Sequence, residues 1–91
     1  SHIRQKPFLV IRKMKTRWGS CNYRTGRIAF NRMLVHLPPD LVHYIALHEF
    51  AHLLYPNHSR DFHAFLKQCL PDYRQAEKRL KKFAFLLQIG Q

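Results

Sequence analysis

Two of the seven histidines flank a glutamate, in the run His48-Glu49-Phe50-Ala51-His52. On a helix, residues four apart are separated by about 40° around the axis and about 6 Å along it, so both imidazoles reach one metal ion. Glu49, one position on, projects beside them toward a water on that ion. The chemistry such a set supports is metal-assisted hydrolysis, in which zinc acidifies a water and a carboxylate takes its proton. The stretch from Leu41 to Tyr55 holds no Lys or Arg to neutralise Glu49. Burying that carboxylate beside two imidazoles is costly unless a cation is present, which points to a bound metal.

A hydrolytic zinc site takes three protein ligands and keeps one position open. His58 is the leading candidate for the third, because its distance from His48 and His52 matches the last histidine of the pattern HExxHxxGxxH. Tyr55 stands where that pattern has glycine. Pro56-Asn57 is expected to turn the chain back instead, Pro56 by stopping the helix and Asn57 by tolerating a left-handed conformation. His63, one helical turn past Ser59, is a weaker candidate, as a substitute ligand or as a donor behind one. Glu77 is the alternative, completing a His-His-Glu set, although Lys78, Arg79 and Lys81 around it suit an ordinary solvated residue. His43 falls about 140° from His48 on the helix and reads as structural. His2 and His36 carry no signal.

These side chains need a scaffold, and 91 residues of 11.0 kDa allow one core, so residues 1–91 are expected to form a single domain. A hydrophobic fraction of 46% excludes disorder despite a formal charge of +11, and no apolar run reaches the roughly 20 residues that cross a bilayer. A domain this small gains from a metal staple. Cys21 and Cys69 are too few for a disulfide framework and read as reduced, partly buried thiols of a cytoplasmic protein. Ser1-His2 resembles a cloning scar, which suggests a piece of a longer protein. Nine basic residues precede the first acid, Asp40, and a second basic group runs from Arg74 to Lys82. That asymmetry fits either a solvated surface or contact with DNA or RNA.

Phe8 to Ile11 and Arg27 to Phe30 are apolar and β-prone, and Asn22 to Gly26 between them supplies turn residues, predicting a short antiparallel sheet or hairpin. Pro38-Pro39-Asp40 opens a helix to about Leu54 whose nearly all-apolar surface predicts burial, and Pro56 ends it. Ser59 caps a second helix to about Cys69. Pro71-Asp72 starts a third, with Asp72 and Gln75 as a capping-box pair and Ala76, Leu80, Phe83 and Leu87 at helical spacing. A short sheet followed by three helices, with the histidine motif on the first and buried one, is an α+β domain.

From about Lys15 to Tyr73 the chain resembles the YgjP-like zinc metallopeptidases, which are similar to the SprT-like and WLM metalloproteases. The resemblance is carried by Arg17-Trp18-Gly19-Ser20-Cys21, Ile28-Ala29-Phe30-Asn31, Leu37-Pro38, His48 through Leu53, Asn57-His58-Ser59, Phe62 and Pro71-Asp72-Tyr73. It implies a small zincin-like fold, a Zn2+ cofactor with His48, His52 and His58 as ligands, and Glu49 as the catalytic carboxylate. It also implies a protein or peptide substrate. Many family members have Trp at the position of His63, which argues against that residue as a required ligand, and they usually carry a longer N-terminal part. The segment from Arg17 to Cys21 is the second family signature. Trp18 to Ser20 either shapes the cleft edge, where a peptide could add as a strand, or supplies Trp18 to the core.

A peptidase of this kind also needs a donor for the transition state, and Tyr73, Arg17 and Asn31 are candidates. The rival function is a nucleic-acid-binding module with structural zinc, gripping phosphate through its basic half. Glu49 speaks against it, since a closed structural site has no use for an uncoordinated carboxylate.

Overall fold

The structure is a computed structural model, describing residues 6–88. The Ser1-His2 dipeptide and His2 lie outside the described residues. Three strands, β1 (Phe8–Arg12), β2 (Gly19–Asn22) and β3 (Arg27–Asn31), precede a 3-10 turn at Arg32–His36. Helices α1 (Pro39–Ala51), α2 (Arg60–Cys69) and α3 (Tyr73–Leu86) follow. The α+β architecture expected from the sequence is therefore present. No helix among the described residues is long and apolar enough to cross a membrane.

The sheet differs in its pairing. Its order is β1-β3-β2, and β1 runs parallel to β3, with Leu9 opposite Ile28 and Ile11 opposite Phe30. The antiparallel hairpin joins β2 to β3, not Phe8–Ile11 to Arg27–Phe30. The physical reason is burial. Ile28, Ala29, Phe30 and Asn31 in succession are buried, on both faces, so β3 must be central, whereas β1 is largely exposed and adds at an edge. β2, with the short polar sequence Gly-Ser-Cys-Asn, has no apolar alternation to announce it. The hairpin turn forms because Asn22 Oδ1 accepts from the backbone N–H groups of Arg24 and Thr25, at 3.0 and 3.2 Å. Gly26 then takes the positive φ of 80° that returns the chain into β3.

α1 begins with Pro39 in its first turn, where a missing N–H costs nothing, and Asp40 there pairs with Arg79 of α3. It buries Leu41, Tyr44, Ile45, Glu49 and Ala51 and packs against β2, α2 and α3, while Phe50 and His43 are exposed. His43 thus has no part in the core. The core joins Ile28 and Phe30 of the sheet to Leu41 and Ile45 of α1, Phe62 and Leu66 of α2, and Tyr73, Ala76 and Leu80 of α3. Ser59 caps α2, its Oγ accepting from Phe62 N at 3.3 Å. The capping box expected at Asp72 and Gln75 does not form: Asp72 precedes α3 without a side-chain cap, and Gln75 N donates to the Asp72 carbonyl instead. Cys69 is exposed rather than partly buried, and only Cys21 keeps that description.

Candidate active site

The regular helix stops at Ala51, and the turn beyond it tightens. His52, Leu53 and Leu54 donate to the carbonyls three residues back, of Glu49, Phe50 and Ala51, at 3.2, 3.0 and 3.0 Å. Pro56 cannot extend this, and the chain reverses so that His58 comes to lie over the helix. Asn57 does not use a left-handed conformation for the reversal; among the described non-glycine residues only Gln88 has positive φ. The overwound exit and Pro56 suffice.

The reversal brings His48, His52 and His58 together, one nitrogen of each lying within 4.8 Å of the others. Tetrahedral zinc with bonds of about 2.0–2.1 Å sets its nitrogens roughly 3.4 Å apart, so small rotations of the imidazoles would close on an ion. The fully buried ring of Phe62 lies beneath all three, with centroid distances of 5.2, 4.6 and 4.9 Å to His48, His52 and His58. Phe62 is thus the floor of the site, a role its place in the second helix did not disclose. Nδ1 of His52 donates to the Tyr55 carbonyl at 3.1 Å, which leaves Nε2 with a lone pair for a metal. Partial desolvation, then the neighbouring imidazoles of His52, His48 and His63, lowers the His58 pKa from 6.5 against an opposing pull from Glu49. A neutral imidazole is the form that ligates.

Glu49 is 7% exposed, and His48 Nδ1 donates to its Oε2 at 3.2 Å. No Lys or Arg among the described residues pairs with it. Its place against the sheet depends on Gly19: a Cβ there would stand 3.0 Å from Glu49 Cγ and 3.1 Å from the Ala29 carbonyl oxygen. The Arg17–Cys21 segment therefore lets β2 approach α1 closely enough to wall the site. Trp18 packs partly buried against the core. Arg17, Cys21 and Tyr23 line a cleft of about 370 Å³ with Glu49 and the three histidines. Burial first, and then the charge of Glu49, raises the Cys21 thiol to about 11.

The other candidates separate. His63 stays outside the trio, its ring centroid 6.4 Å from that of His58 and its Nδ1 3.3 Å from the Tyr73 hydroxyl. Glu77 does not join the histidines. It lies half-buried in a neighbouring cleft, its Oε1 accepting from Arg74 at 3.1 Å, and so is not the freely solvated residue its basic neighbours suggest. Asn31 is unavailable as a donor to substrate, because its amide is spent inside the fold: Nδ2 donates to the carbonyls of Met14 and Arg17 at 2.8 and 2.9 Å, and Oδ1 accepts from Met33 N at 3.0 Å.

A helix bearing HExxH, walled by a sheet edge and met by a third imidazole from the following turn, is the arrangement of a metallopeptidase domain. The chain belongs to the YgjP-like family, whose metallopeptidase-domain model matches residues 2–83. Among solved structures, the crystal structure of the metallopeptidase zymogen abylysin of Pyrococcus abyssi is similar. At 24% identity it superposes with a TM-score of 0.77, over 97% of this chain and 83% of that one. No curated protein sequence matches the chain.

Proposed function

We propose that the protein is a zinc-dependent peptidase in which His48, His52 and His58 hold the ion and Glu49 is the general base. The observation that carries this is the convergence of three imidazoles beside a buried carboxylate that no Lys or Arg among the described residues pairs. When bound, zinc polarises a water and the scissile carbonyl and lowers the pKa of that water. Glu49, with Oε2 held by His48, keeps Oε1 to accept the proton of the attacking water and passes it to the nitrogen of the leaving amine, so the carboxylate ends each cycle unprotonated. The hydrogen bond from His52 to the Tyr55 carbonyl and the Phe62 floor fix the imidazoles before substrate arrives. Of the three donors considered for the transition state, Arg17 lines the cleft, Asn31 is committed to the backbone, and Tyr73 bonds His63. Arg17 is therefore assigned to the developing oxyanion.

The deciding experiment compares zinc stoichiometry and peptide-bond cleavage in wild type and Glu49→Gln. The amide keeps the shape but accepts no proton, so the variant should hold zinc, stay folded and lose hydrolysis. Full activity in that variant would sink the mechanism.

A further inference from the structure

A second cleft, of about 430 Å³, opens between α1, α3 and the segment Arg17–Gly19. It reaches His48 and Glu49 at one end and shares Arg17 and Gly19 with the histidine cleft. A peptide whose scissile bond lies at Glu49 therefore presents a neighbouring side chain to it. Trp18, Ile45 and Leu80 give this cleft apolar walls, and Arg17, Arg74 and Lys81 place three cations around it. Its acids besides Glu49 reduce to Glu77, which Arg74 already pairs at 3.1 Å. Arg17 and Lys81 have no ion-pair partner among the described residues.

We propose that this cleft is a substrate subsite that selects an acidic side chain, a proposal that rests on the peptidase reading of the adjoining site. The short stem of a glutamate lies against Trp18 and Leu80 while its carboxylate meets Lys81, Arg17 being kept for the oxyanion. A lysine or arginine in the same place faces like charge beside low-dielectric walls, which focus the field and penalise it. The cations at this cleft differ from the remaining basic surface in position: they border a cleft that reaches Glu49, so they act on a residue that flanks the cleaved bond.

Trp18 is the chain's one tryptophan, so its emission reports occupancy of this cleft. The probes are acetylated, amidated hexapeptides alike except for one central residue, Glu, Gln, Leu or Lys, titrated into metal-free wild-type protein so that binding is read without turnover. The Glu peptide should bind about fivefold more tightly than the Gln peptide, the upper range for a partly exposed ion pair, and the Lys peptide most weakly. Lys81→Glu should bring the Glu-to-Gln ratio to one or below. Lys67→Glu, an equal change of net charge on α2 away from the cleft, should leave it. Equal binding of all peptides, an emission that responds to none, or an equal loss in both variants, as general attraction to a chain of charge +11 would give, overturns the proposal. Glu-selective binding with no cleavage by the zinc-loaded protein instead overturns the peptidase reading and leaves the acid-selective cleft standing.

Discussion

Gly19 of the sheet edge and Glu49 of the central helix touch so closely that no side chain fits between them. A Cβ on Gly19 would lie 3.0 Å from Glu49 Cγ and 3.1 Å from the Ala29 carbonyl oxygen. The carboxylate can yield but the backbone of β3 cannot. Gly19→Ala should therefore displace Glu49, cost about 1–3 kcal/mol by overpacking, and lower kcat more than zinc content. Thermal unfolding and cleavage measured on the same preparation check it.

Asn31 holds three backbone groups from a fully buried position and so ties the stretch between β1 and β2 to the end of β3. Asn31→Ala leaves the carbonyls of Met14 and Arg17 and the N–H of Met33 without their partner, at a cost of about 2–3 kcal/mol. A fall in urea midpoint with unchanged slope is the expected result. Activity should fall with it, because Asn31 holds the Arg17 carbonyl and so the entry to β2.

His58→Ala and Glu77→Ala distinguish the two candidates for a third ligand. Removing His58 should weaken zinc binding by more than about 100-fold, the loss of a mere supporting partner being the lower bound. Glu77→Ala should leave zinc stoichiometry unchanged, since Glu77 faces the adjoining cleft and pairs with Arg74. Competition with a calibrated chelator measures both; metal loss in the Glu77 variant alone would move the site.

In the metal-free protein the two thiols should react at different rates. With its pKa raised from 9.0 to about 11, Cys21 is about one part in a thousand thiolate at pH 8. Exposed Cys69 should take up iodoacetamide first, and the Cys21 rate should climb until about pH 11. Glu49→Gln should shift that profile to lower pH, because the glutamate charge is the second cause of the rise. The folded state keeps a proton that the unfolded state releases above about pH 9. Cys21 therefore contributes stability below that pH that is lost as pH rises through about 11.

By itself the sequence determined the helices and the histidine motif that the first of them carries. His48, Glu49 and His52 sit on a helix whose apolar composition and flanking prolines are local facts, and Ser59 caps the next helix by a contact spanning three residues. Periodicity and capping are short-range, so they survive in one dimension. Even there the local rules overreached: Asp72 and Gln75 had the residue types of a capping box without the geometry, and Asn57 the tolerance for a left-handed turn without the need. Only the tertiary structure decided which strand is central, because that depends on Ile28 to Asn31 being covered from both sides by distant segments. The same holds for the roles of Gly19, Asn31 and Phe62. Gly19 is a gap for Glu49, thirty positions on; Asn31 is spent on carbonyls 14 and 17 residues away; and Phe62 is the floor under three imidazoles. A small, a polar and an aromatic residue carry no local mark of what will be packed against them, since close packing is settled by the whole fold at once.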